Sequence, residues 1–181
     1  MALKLSAGTH YPWYVRVFFW NQKRKYGQEL EPAKLWGRTP KVFAALALLY
    51  GALDRKKSPI EPSSRSLITV RVSQINWCAF CVDLNSMTVL KRGSSEAKLN
   101  DLESFENSLY FTDREKAALH YAEVVTFSDK SVSDKDRARL NAYFSQNEVI
   151  ELTALISFQN MSSKFNASLD VQPQGFCKLK N

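Results

Sequence analysis

Cysteine and histidine are scarce in this chain. Its 181 residues hold three cysteines and two histidines, too few thiols for the disulfide framework of a secreted domain. A structural zinc site takes four ligands, and Cys177, His10 and His120, the residues left to complete one, are distant in sequence and lack ligand spacing. Long apolar runs are missing too. The longest, Val42 to Leu53, falls short of the roughly 20 residues a membrane-spanning helix needs. The segment MALKLSAGTHYPWYV has no apolar h-region and no clear cleavage site, so a secretory signal is not expected. No glycine-rich phosphate loop, internal repeat, low-complexity tract or Asn-Gly hairpin signal is present. These absences point to a soluble cytoplasmic protein of one domain, with no cofactor and no metal.

What is present fits that expectation. Hydrophobic residues make up 45 % of the chain, enough to bury a full core without disulfides or metal. The formal charge is +7, carried in part by Lys23-Arg24-Lys25, Arg55-Lys56-Lys57, and the tail residues Lys178 and Lys180. These clusters sit at the ends of apolar segments, where solvated helix ends are the simpler reading, so neither nucleic acid nor membrane is an expected partner. The aromatic cluster Tyr11, Trp13, Tyr14, Phe18, Phe19 and Trp20 reads as core or subunit contact rather than a membrane surface.

Punctuation divides the chain into helix-sized pieces. Pro12 opens a segment running to Tyr26, with Trp13, Val17 and Trp20 at helical spacing and Gly27 as its stop. Thr39-Pro40 reads as an N-cap followed by proline at the first helical position. Behind it lies the stripe Phe43, Leu46, Tyr50 and Leu53. The piece after Pro62 carries Leu67, Ile68, Val70, Val72 and Ile75, whose β-branched members suit a strand as well as a helix. Thr112 with Glu115, Ser133 with Asp136, and Ser145 with Glu148 mark three further helix starts. The sum is an all-α domain of six to eight helices.

The most informative run is Trp77-Cys78-Ala79-Phe80-Cys81, which leads into Val82 to Leu90. Two thiols spaced Cys-x-x-Cys can close a small disulfide ring or place two ligands on one metal. At a helix N-terminus the free N–H groups stabilise the thiolate, the reactive form of cysteine. A thioredoxin-like reading needs alternating strands and helices around the motif, and the flanks here read as helical. Two buried thiols packing as small apolar groups are the bland alternative. Cys177 reads as an incidental thiol and His120, inside the capped helix, as a boundary residue.

Three blocks in order, Arg65 to Ser86, Thr112 to Thr126 and Glu151 to Val171, together resemble the carboxymuconolactone decarboxylase family in its alkyl hydroperoxidase D-like branch. The resemblance implies an N-terminal helical extension over 1–37, a family-like domain over 38–172 and a tail over 173–181. It also implies an all-helical homo-oligomer, a trimer or hexamer. In the peroxidase branch it implies that Cys81 attacks a hydroperoxide, that Cys78 resolves the sulfenic acid as a disulfide, and that a dithiol protein reduces the pair. The branch uses a glutamate–histidine proton relay. Here Ser66 and Asn85 stand at those positions, and neither is a base near neutral pH. Both are expected to line the thiol pocket as hydrogen-bonders, with Asp83 or Glu61 as a substitute base. The family also implies two alternatives: a decarboxylase-like enzyme, and a non-enzymatic helical oligomer with a redox-sensitive thiol pair.

Overall fold

The computed structural model describes residues 9–177; the tail lysines Lys178 and Lys180 lie outside them. The described residues form nine helices and no strand. They are α1 (Trp13–Tyr26), α2 (Glu31–Gly37), α3 (Pro40–Leu53), α4 (Pro62–Ile75), α5 (Ala79–Lys91), α6 (Glu96–Asn100), α7 (Asp113–Thr126), α8 (Asp134–Asn141) and α9 (Gln146–Ser168). The short α2 and α6 were not anticipated, since five to seven residues show too little periodicity to read.

The ambiguous segment after Pro62 is the central helix. α4 packs on α5, α7 and α9 at once. It buries Leu67, Ile68, Val70 and Val72 around its girth, along with Arg65, Ser66 and Ser73. A helix covered on all sides loses the one-sided stripe that identifies amphipathic helices, which is why its β-branched residues left the sequence undecided. All three expected capping boxes form, with Thr112, Ser133 and Ser145 each accepting the N–H three residues on. Thr39 departs from expectation: it holds the N-cap position, but its hydroxyl donates to the Trp36 carbonyl at 3.0 Å instead of capping α3.

Two apolar clusters form. The larger joins α4 to α9 around Leu67, Leu102, Phe105, Leu119, Leu152 and Ile156. The second gathers Val15, Phe19, Leu30, Leu35 and Phe43 from α1 to α3 onto Cys78, Phe80 and Cys81. The N-terminal helices therefore cover the cysteine pair. The aromatic cluster divides accordingly: Phe19 is buried, with the Tyr11 ring 5.0 Å away, and Phe18 meets Phe43 at 4.8 Å, whereas Trp13 and Trp20 are exposed.

Surface carboxylates are set by local partners. The Ser133 hydroxyl and then His120 hold Asp136 well below the ordinary carboxylate value. Arg139 lowers Glu106, the Ser145 N–H lowers Glu148, and Arg55 lowers Glu151. A depressed folded-state pKa adds stability that is present above the unfolded value and lost as pH falls through the folded one. The urea unfolding midpoint should therefore drop below about pH 4. A midpoint at pH 3 equal to that at pH 7 would contradict these pairings.

Candidate active site

The cysteines stand on a turn built by two helix ends. At the C-terminus of α4 the Cys78 N–H bonds to the Ser73 carbonyl at 3.0 Å and the Trp77 N–H to the Gln74 carbonyl at 3.1 Å. This six-to-one closure is a Schellman motif, whose left-handed position usually takes glycine. Trp77 occupies it at φ 55°, a conformation that strains a bulky residue by about 1–3 kcal/mol. Its side chain is 89 % exposed, so packing returns little of that cost. Trp77→Gly should raise stability by about 1 kcal/mol in urea unfolding; a loss of stability would mean that the indole contributes contacts that outweigh the strain.

The turn is also pinned from α9. Asn76 donates to Asn160 Oδ1 at 2.8 Å and to Ser163 Oγ at 2.9 Å, and Gln159 donates to Ser73 Oγ at 2.9 Å. Cys78 then serves as N-cap of α5, its sulfur accepting the Cys81 N–H at 3.2 Å. A disulfide joins the two cysteines, with Cα atoms 5.3 Å apart, inside the normal span for such a bridge.

The two sulfurs face different surroundings. Cys78 is buried behind the turn. Cys81 lines a cavity of about 340 Å³. Its walls come from Phe18 of α1, Trp36 of α2, Phe43, Leu46 and Tyr50 of α3, Phe80 and Leu84 of α5, and Phe158 of α9. Trp36 stacks on Phe165 with ring centroids 3.6 Å apart, which joins the N-terminal helices to α9. Among the described lining residues Lys25 is the sole charged side chain.

Asn166 reaches the site from the last turn of α9. Its side-chain N–H donates to Cys81 Sγ at 3.2 Å in a buried contact. A second Schellman closure fixes that turn: the Val171 N–H bonds to the Asn166 carbonyl at 3.0 Å, with Asp170 at φ 55°. Asn166 was not singled out from the sequence. Its signal was there: Leu152, Leu155, Ile156, Gln159, Ser163 and Asn166 form one buried helical stripe, and polar residues on a core stripe ask for a reason.

The expected site residues separate in space. Cys81 and Asn85, four residues apart on one helix face, both line the cavity. Ser66 is not among the lining residues. It sits in the first turn of α4, its hydroxyl donating to the Pro62 carbonyl at 3.1 Å and accepting from Arg92 at 2.9 Å. Arg92 and the buried Arg65 both pair with Asp54 there. Asp83 turns to the tail and is absent from the cavity lining: its carboxylate accepts the backbone N–H groups of Gln174 at 2.9 Å and Cys177 at 2.7 Å. Glu61 is exposed at the start of α4. His120 bonds to Asp136 at 2.7 Å, outside the cavity. Among the described residues no group of three or more His, Cys, Asp or Glu converges as a metal site, and no helix is long and apolar enough to cross a membrane.

Fold and site together define an all-helical dithiol protein whose Cys-x-x-Cys pair opens onto an apolar cavity. The model of the carboxymuconolactone decarboxylase family matches residues 40–124. The uncharacterised protein YnjA of Escherichia coli K12 is 40 % identical over 168 residues, covering 93 % of this chain and 92 % of that protein. A solved structure from Agrobacterium tumefaciens, of unknown function and described as a candidate AhpD antioxidant defence protein, matches at TM-score 0.70 and 29 % identity, over 74 % of this chain and 91 % of that one. An uncharacterised peroxidase-related protein from Ralstonia eutropha, described as an alkylhydroperoxidase AhpD core, shares the fold at TM-score 0.82 and 19 % identity, over 92 % of this chain and 88 % of that one. The chain belongs to the carboxymuconolactone decarboxylase family, in its alkyl hydroperoxidase D-like branch.

Proposed function

We propose that this protein is a thiol-dependent reductase of organic hydroperoxides, with Cys81 as the attacking thiolate and Cys78 as the resolving thiol. The observation that carries this reading is the division of labour between the sulfurs: Cys81 lines the apolar cavity and Cys78 lies behind it within disulfide reach. The Cys81 thiolate takes the terminal oxygen of the hydroperoxide, the O–O bond breaks, and the alkoxide leaves and is protonated by water. The Cys78 thiol gives its proton to solvent and the thiolate displaces hydroxide from the sulfenic acid; the hydroxide takes up a proton, so the products are the disulfide and water. The place of Cys78 at the helix N-cap favours the thiolate that this second step needs. A dithiol protein restores both thiols by exchange. The largely apolar lining, with Lys25 as its one described cation, supports this reading over decarboxylation of a carboxymuconolactone, which would need several cationic groups for the substrate carboxylates.

The test is to trap the intermediate. Reduced Cys78→Ser protein, given one equivalent of cumene hydroperoxide, should accumulate a sulfenic acid on Cys81 that a dimedone probe labels. Labelling at Cys177 alone, or none, would sink the assignment.

The thiols lack a nearby base, so reduction should be slower than in relatives that carry the relay. A histidine at position 85 would stand one helical turn from Cys81 on the cavity side. Asn85→His should accelerate thiol oxidation at neutral pH by about a hundredfold, the lower end of general-base effects. An unchanged rate would mean that proton transfer does not limit the reaction.

A further inference from the structure

Asn166 carries a buried polar atom that the fold leaves unsatisfied. The residue is 2 % exposed. Its Nδ2 is engaged by Cys81 Sγ, and its Oδ1 has no hydrogen-bond partner in the protein. An unpaired buried acceptor forfeits the hydrogen bonds it made to water, and native folds rarely leave one without cause. Exchanging the two ends of the amide does not help. The oxygen would then face a disulfide sulfur with no proton to give, and the NH2 group would lose the partner it has. Nor is the residue free to turn away, because the closure at Asp170 and Val171 fixes its turn of α9.

Asn166 lines the cavity beside Cys81, and its Oδ1 is shielded from solvent, so a donor reaches that oxygen from the cavity side as a ligand displaces the groups that cover it. The other buried amides of the lining are built into the fold: Gln22 accepts the Leu30 N–H at 3.3 Å and Gln159 donates to Ser73. Only the Asn166 oxygen, among the buried side-chain atoms of the described lining, stands without a partner.

We infer that Asn166 Oδ1 is a ligand-recognition atom, and that the cavity takes an apolar molecule bearing one hydrogen-bond donor, an O–H, at the end that meets Cys81. Applied to catalysis, this rests on the hydroperoxide reading above. There the donor is the terminal O–H of the hydroperoxide. Its hydrogen bond to Oδ1 sets that oxygen against the sulfur, while Nδ2 holds the sulfur as thiolate, since a hydrogen bond to the charged form favours it. The S–O bond forms as the O–O bond breaks, and the terminal oxygen keeps its proton as Cys81–S–OH. The alkoxide leaves with the electron pair and takes a proton from water. One amide thus binds both reacting atoms, and it does so without a base.

The closed disulfide allows recognition to be measured without chemistry. Oxidised protein is titrated calorimetrically with 2-phenyl-2-propanol, which has the O–H, and with its methyl ether, which does not. The alcohol should bind about tenfold more tightly, as one buried hydrogen bond of about 1.4 kcal/mol provides. Asn166→Leu should abolish the preference. Asn166→Asp, which keeps an acceptor at the same place, should retain it. In reduced protein both variants lose the donor to sulfur, so the Cys81 thiolate absorbance near 240 nm should appear at higher pH than in wild type. Equal binding of alcohol and ether by wild type, or no binding of either, would overturn the inference, as would a preference that survives Asn166→Leu. The titration involves no thiol chemistry, so a protein that prefers the alcohol yet fails to reduce hydroperoxides would retain the binding site and lose only the peroxidase reading.

Discussion

Cys81→Ser is expected to bring hydroperoxide-dependent oxidation of the protein down to the rate of an ordinary free thiol. The cavity admits substrate to Cys81, and the Asn166 amide addresses Cys81 alone. Cys78 shares the helix N-terminus but has no place among the lining residues. Its thiolate is therefore stabilised without being presented. The complementary variant, Cys78→Ser, should react once at near wild-type speed and then stop, because the sulfenic acid on Cys81 has no resolving partner. Stopped-flow mixing with cumene hydroperoxide separates the two behaviours. If Cys81→Ser keeps the fast phase, the attacking sulfur has been misassigned and Cys78 or Cys177 must take its place.

Asp54→Ala is expected to destabilise the fold by about 3 kcal/mol or more. Arg65 is 4 % exposed, held by the Ile60 carbonyl at 3.0 Å and by Asp54 at 3.3 Å. Arg92 also pairs with Asp54, donating to its two oxygens at 2.7 and 2.6 Å. Deleting the carboxylate leaves two guanidinium groups facing each other, one of them buried, and breaking a buried pair this way costs about 3–5 kcal/mol. Asp54 itself is partly exposed, which puts the effect toward the lower end. Urea unfolding measures it directly. A change under about 0.5 kcal/mol would show that Arg65 finds its compensation elsewhere, for instance in water at its Nε, which has no partner in the protein.

The helices were legible where the sequence states its own boundaries. Thr112, Ser133 and Ser145 each announced a start that the fold uses. The central helix was not, because burial on every side removes periodicity. The cysteine pair was legible from spacing alone, whereas Asn85, which lies on the cavity face one turn after Cys81, was named through the family resemblance. The two misplaced residues fail for geometric reasons. Asp83 stands two positions from Cys81, and residues so spaced point to different sides of a helix, here toward the tail. Ser66 lies at the opposite end of α4 from the turn, about 14 Å along the axis at 1.5 Å per residue from Ile75. Arg92 and Asp54 meet it there, through contacts that no local spacing encodes. Asn166 is separated from Cys81 by 85 residues, and only the docking of α9 brings it to the sulfur.

Time-resolved thiol loss in the reduced wild-type protein tests the central claim most directly. Mixed with one equivalent of cumene hydroperoxide, the protein should lose two thiols much faster than a small free thiol does, and it should yield the Cys78–Cys81 disulfide and one equivalent of the alcohol. Thiol loss no faster than that of a small free thiol, with a disulfide that forms reversibly and shifts only stability or assembly, would contradict it and leave the pair a structural, redox-sensitive element.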